Sequence, residues 1–137
     1  MQPEIGWQHI DYIDNELTKQ WFGIDPTDTV IHWHYETFNI PTGCTLLASS
    51  SACPNQAFSI GKHLAMQFHI EIDENKIDKW VSDEDEQWEF SKQYSSVQDK
   101  SQILNGVDRH LAKHQRTANN IYRYWLKTTE WSNLIKY

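Results

Sequence analysis

The sequence predicts an α/β fold in which a mixed sheet with a β-hairpin comes first and helices follow. Three observations predict it. Apolar and polar residues alternate along Thr29 to Tyr35 and, without a break, along His63 to Ile72, the period of two expected of half-buried strands. Gly61-Lys62 joins this second run to Gln56–Ile60, and a two-residue loop with Gly first suits a type II′ hairpin turn. From Leu104 onward, Val107, Leu111, His114, Ala118, Ile121 and Trp125 step by threes and fours, the stripe of an amphipathic helix.

The elements follow in order. Ile5, Trp7, Ile10 and Tyr12 suggest an opening extended segment, and Asp25-Pro26-Thr27-Asp28 is a turn cluster. In Thr29–Tyr35, Val30, His32 and His34 share one face and Ile31, Trp33 and Tyr35 the other, until Pro41-Thr42-Gly43 ends the unit. Cys44–Ala48 reads as a short strand before a Ser49-Ser50-Ser51 loop. In the His63–Ile72 run, Leu64, Met66, Phe68, Ile70 and Ile72 form an apolar face, with Ala65, Gln67, His69 and Glu71 opposite. Asp73 caps a short helix whose inner face holds Ile77, Trp80 and Val81. The acidic stretch Asp83–Glu86 reads as a solvated loop, and Asn105-Gly106 as a possible break in the last helix.

The totals bound the function. With 137 residues the chain holds one domain. Its 39% hydrophobic, 23% charged and 13% aromatic residues are a globular composition. A net charge of -7 excludes nucleic acid as the expected partner, since phosphate contacts need clustered Lys and Arg. No window is apolar enough to span a membrane, and Met1 to Trp7 lacks the basic and apolar regions of a signal peptide. Cys44 and Cys53 are then expected to be reduced thiols, and a cytoplasmic location follows by default.

Three groups of residues carry possible chemistry. The first is His69 with Glu71: on one face of a strand, a carboxylate can hold an imidazole that moves a thiol proton, although a polar face turned to water has the same spacing. The second is His32, His34 and Glu36. Two His on one face beside a carboxylate suit a divalent metal, and with Gly43 the run resembles the cupin metal motif, but a single residue separates His34 from Glu36 where that motif has a longer spacer. No metal and no other cofactor is therefore expected. The third is the two cysteines, neither on the small-residue elbow that exposes a nucleophile: Cys44 leads into a strand, and Pro54 follows Cys53 directly.

Four blocks in order resemble the class I glutamine amidotransferases, especially stand-alone proteins similar to the amidotransferase domain of GMP synthase. Pro3–Trp7 is similar to their K-E-I-G-W strand, and Ile31–Pro41 to H-W-H-G-D-T-F-x-L-P. Ala48–Phe58 is similar to A-S-S-x-x-C-x-N-Q-A-F, and Gln67–Glu71 to Q-F-H-P-E. The resemblance implies the C-terminal half of the flavodoxin-like amidotransferase fold. It implies hydrolysis of glutamine or a γ-glutamyl amide by a Cys-His-Glu triad, with His69 as acid/base, Glu71 as its orienting carboxylate and His34 beside the substrate. Tyr35-Glu36 depart from the family's Gly-Asp, and Ile70 from its Pro. In the family the G-x-C-x-G elbow precedes the E-I-G-W strand, so residues 1–137 are expected to form a partial domain without the nucleophile half, inactive alone. The implied partners are a complementary N-terminal fragment, a synthase or a second copy of the chain. A catalytically inactive binding protein and a small metal-binding β protein are the alternatives.

Overall fold

The structure, a computed structural model, describes residues 2–83 and 85–129. The elements are β1 (Glu4–Tyr12), α1 (Glu16–Phe22), β2 (Thr27–His34), β3 (Thr45–Ser49), β4 (Ala57–Ile60), β5 (His63–Met66), α2 (Glu74–Ser82), α3 (Glu86–Ser91) and α4 (Lys100–Thr128). The five strands form one sheet in the order β2-β1-β3-β4-β5, each pairing antiparallel. The parallel component of the expected mixed sheet is a bridge from Ile5 to Val97, where Ile5 N–H donates to the Ser96 carbonyl and Gln98 N–H to that of Ile5.

The hairpin forms as its Gly-Lys turn predicts, with Gly61 at φ 56°. The alternating run does not stay a strand to Ile72. After Met66 the backbone leaves β4, and His69 N–H donates 3.0 Å to the carbonyl of Ile31. The segment thus crosses from one outer edge of the sheet toward the other, β2, and the sheet curls. Alternation encodes which side chains are covered, and Phe68 and Ile72 are both buried; it does not encode which backbone supplies the hydrogen bonds.

Two short helices carry no periodic signal in the sequence. α1 is capped by Asn15, whose side chain accepts from Thr18 N–H, and it buries Trp21 and Phe22. The acidic stretch, expected as a loop, supplies the cap of α3, since Asp85 accepts from Trp88 N–H; Glu84 lies outside the described residues. In α4, the Asp99–Gln102 capping box starts a helix that runs unbroken through Asn105-Gly106. Gly106 is there for packing: a Cβ would stand 2.2 Å from Trp7 Cδ1. Helix α4 covers two apolar clusters. Ile103 joins Ile5, Trp7, Ile31, Ile77 and Trp88, whereas Ile121 joins Ile10, Trp21, Phe22, Val30 and Phe68. No described helix is long and apolar enough to cross a membrane.

Gly6 is the other glycine fixed by its surroundings. Its φ is 95°, and a Cβ there would lie 2.3 Å from Gln98 Oε1. That space lets the Gln98 amide act as a strand partner, accepting from Trp7 N–H at 2.8 Å and donating to Trp7 O at 3.1 Å. Gly6→Ala is expected to cost at least about 2 kcal/mol in urea denaturation, from left-handed strain plus the lost Gln98 pairing.

Candidate active site

The segment Gln67–Glu71 is pinned by two backbone bonds: Gln67 N–H donates 2.9 Å to the Gln56 carbonyl, and His69 N–H to Ile31. Beyond these anchors His69 Nδ1 lies 2.8 Å from Glu71 Oε1. The second carboxylate oxygen of Glu71 accepts from Ile70 N–H at 3.0 Å, and Lys76 Nζ stands 3.5 Å from the first. Burial pushes the Glu71 carboxyl up, but its own backbone amide, His69 and Lys76 together outweigh this and hold it below the usual carboxylate range. An ionised Glu71 accepts from Nδ1–H, which leaves the Nε2 lone pair of His69 to take up a proton.

His69 faces a cavity of about 420 Å³ lined by Trp33, Lys79, Trp80, Asp83 and Asp85. The Trp80 ring stands edge-on to the imidazole with centroids 4.7 Å apart, and Trp33 packs against Trp80 at 5.3 Å. Trp80 thus packs directly on the imidazole, and Trp33 backs Trp80. The imidazole itself keeps 29% exposure, so it remains reachable. The helical spacing of Trp80 marks it only as an inner-face position of α2; its placement over His69 depends on the curl of the sheet, which no local pattern contains.

The four sequence blocks meet in the interior behind this segment. Gln67 Nε2 donates to the Asn55 carbonyl at 2.6 Å and to Thr37 Oγ1 at 2.9 Å, and lies 3.2 Å from Cys53 Sγ. Asn55 in turn donates to the Phe38 carbonyl at 2.9 Å. Ser50 Oγ donates to Glu4 Oε1 at 2.7 Å, and Gln56 Nε2 donates to Glu4 Oε2. Cys53 is fully buried among these partners, whereas Cys44 sits at the turn before β3. The blocks thus hold together the loops that carry His69.

His34 does not enter the cavity beside His69. Its ring turns inward, with Nδ1 3.0 Å from the Glu36 carbonyl and Nε2 3.3 Å from both Glu4 Oε2 and His32 Nδ1. The trio of His32, His34 and the Glu36 carboxylate, which the broken spacing already disfavours, is not brought together; Glu4 stands in the place of Glu36. The antiparallel register explains this, pairing Glu4 with His34 and Gly6 with His32 across β1 and β2. Burial raises the Glu4 carboxyl, but His34, His32 and Ser50 outweigh it and leave the group below its ordinary value. Burial drives His32 down to about 3.

His114 of α4 lies below the same segment, fully buried and edge-on to Trp7 at 5.7 Å. Burial lowers its pKa, outweighing Asp28, the His69 backbone and Glu71, which pull it up, while the His69 ring adds to the lowering. The folded value lies below the unfolded value of 6.5, so the unfolded chain binds more protons as the pH falls. Stability from this group is full above pH 6.5 and is lost below it. Denaturation at about pH 7.5 and about pH 5.5 is expected to show a loss at the lower pH that is smaller in His114→Leu.

Neither a protein-family model nor a curated protein sequence matches the chain. Solved structures do. The chain is similar to a glutamine amido transferase from Methylobacillus flagellatus, at 27% identity and TM-score 0.84, over 94% of this chain and 54% of that one. It also superposes on a glutamine amidotransferase from Thermotoga maritima, at 24% identity and TM-score 0.71, over 94% of this chain and 52% of that one. A putative GMP synthase subunit from Thermoplasma acidophilum matches at 20% identity and TM-score 0.56, over 98% of this chain and 48% of that one. The chain therefore spans about half the length of the structures it matches.

Proposed function

The chain has the fold of the C-terminal half of a class I glutamine amidotransferase, and from this premise we propose that it supplies the acid/base and orienting carboxylate of a Cys-His-Glu centre acting on glutamine or another γ-glutamyl amide. The thiol comes from residues outside these 137. The carrying observation is the His69–Glu71 hydrogen bond of 2.8 Å beside a cavity walled by Trp33 and Trp80.

In this reading Nε2 of His69 takes the thiol proton, and the thiolate attacks the side-chain amide carbon. The C–N bond breaks as His69 returns that proton to nitrogen, releasing ammonia and leaving a thioester. Water then attacks the thioester while His69 accepts its proton, and glutamate leaves as the thiol re-forms. Glu71 holds the ring through Nδ1 and balances the imidazolium charge. The ammonia passes to a synthase partner.

The test is reconstitution with a half-domain bearing the G-x-C-x-G elbow: a neighbouring coding segment, or the corresponding half of the Methylobacillus flagellatus protein. The chain alone is expected to release no glutamate from glutamine. Cys44→Ser and Cys53→Ser should leave the reconstituted rate within about twofold, because the buried Cys53 sulfur is enclosed by Thr37 and Gln67 and lies in no elbow. Loss of the rate in either variant would place the nucleophile within this chain.

A further inference from the structure

The spacing of His34 and Glu36 speaks against a metal, but the folded chain presents a different donor set. Glu36 offers His34 only its backbone carbonyl, and Glu4, opposite His34 in the β1–β2 register, brings the carboxylate. We propose that Glu4, His32 and His34 form a buried site for one divalent transition-metal ion, zinc by preference, that clasps β1 to β2. The inference stands apart from the role of His69.

Geometry carries it. His32 Nδ1 is 3.3 Å from His34 Nε2, which is 3.3 Å from Glu4 Oε2. All three ligand atoms fall within 4.8 Å of one another. A tetrahedral zinc with bonds of about 2.0–2.1 Å holds neighbouring ligand atoms roughly 3.3–3.4 Å apart. Two of the three edges therefore already have the tetrahedral length.

The hydrogen bonding points the same way. His34 commits Nδ1–H to the Glu36 carbonyl at 3.0 Å, so the Nε2 of a neutral ring directs a lone pair at Glu4 and His32. With His32 carrying its hydrogen on Nε2, three electron-rich atoms converge, and a cation among them satisfies all three at once. A metal-binding His ordinarily gives its other N–H to a backbone carbonyl, as His34 does, and a ligating carboxylate is itself hydrogen-bonded, as Glu4 is by Ser50 and Gln56. His32 departs from this rule, since its Nε2 is buried without a partner. Glu4 also lines a cavity of about 210 Å³ with Gln2, Gln8, Ser51 and Ser96. The side chains of Glu4 and His34 are 2% and 11% exposed, and three protein donors leave the fourth position of a tetrahedral ion to water.

The experiment uses untagged protein stripped with EDTA, dialysed, and then given one equivalent of zinc or cobalt. The expected result is one zinc per chain by elemental analysis and a melting temperature at least about 5 °C higher than in the stripped protein. Cobalt should give the visible bands of a tetrahedral ion with nitrogen and oxygen ligands. Glu4→Gln and His34→Gln should each lower bound metal to under about a tenth of an equivalent, while the exposed His63→Gln retains it. If either site variant fails to fold, zinc-induced shifts of the His32 and His34 ring resonances in the wild-type protein decide instead. A stripped chain that takes up no zinc, resonance shifts confined to surface histidines, or full uptake in folded Glu4→Gln and His34→Gln would each overturn the site.

Discussion

In the reconstituted enzyme, His69→Ala should lower kcat for glutamate release by about 10⁴-fold, with KM changed little. That is roughly 5.5 kcal/mol of transition-state stabilisation, the scale of losing the group that moves every proton in the cycle. Glu71→Gln should cost about 10²-fold or more, because Gln can turn its amide away from Nδ1 and carries no charge to balance the imidazolium. Glu71 is 45% exposed, and water is expected to replace part of its effect. Steady-state assays of folded variants separate the two cases. A His69→Ala enzyme within about tenfold of wild type would remove His69 from the chemistry, whatever its geometry.

The largest expected loss of stability is Trp7→Ala, at about 3–5 kcal/mol. Domains of ordinary stability have about 5–15 kcal/mol in total, so this single change threatens the fold. The indole is 4% exposed, donates to the Ile103 carbonyl at 3.0 Å and packs against His110 and His114 at 5.5 and 5.7 Å. It also fills the space above Gly106. Gly106→Ala alone should destabilise by about 1–3 kcal/mol, since its new Cβ collides with the ring. In the Trp7→Ala background the collision is gone, and the same Gly106→Ala should be neutral or gain up to about 1 kcal/mol from helix propensity. Urea denaturation of the wild type, the two single variants and the double variant measures this sign change. Additive losses would mean that Trp7 and Gly106 do not share the contact described.

Most of the fold is legible where local chemistry decides. The hairpin turn follows from Gly61, the cap of α2 from Asp73, and the long helix from its apolar stripe. The sequence misleads where distant chain supplies the reason. Gly106 resembles a break because glycine weakens a helix, and only Trp7, far away in the sequence, explains it. The alternating strand through Ile72 ends early because its backbone finds Ile31 instead of β4. α1 and α3 are too short for a periodic signal to outweigh their polar flanks.

The site divides in the same way. His69 and Glu71 are visible through spacing and through their block, and the structure brings their side chains together. Glu4 is hidden. It is the second residue of the Pro3–Trp7 block, and it gains partners only once the β1–β2 register sets it against His34 and the β3–β4 loop delivers Ser50 and Gln56. The register is in principle readable, because alternation in both strands limits the pairings that bury Ile5, Trp7 and Ile31 together. The resemblance puts His34 beside the substrate; its ring contacts the Glu36 carbonyl and Glu4 and is not among the side chains that line the cavity with His69.

Whether His69 and Glu71 complete a Cys-His-Glu centre is decided by glutamate release when this chain is mixed with a half-domain carrying the G-x-C-x-G elbow. Neither part alone is expected to release glutamate. The mixture should release glutamate, and the activity should vanish with His69→Ala in this chain or with Cys→Ser in the elbow. A mixture that forms a stable complex and leaves glutamine intact would remove His69 and Glu71 from such a centre, as would glutamate release that survives the loss of His69.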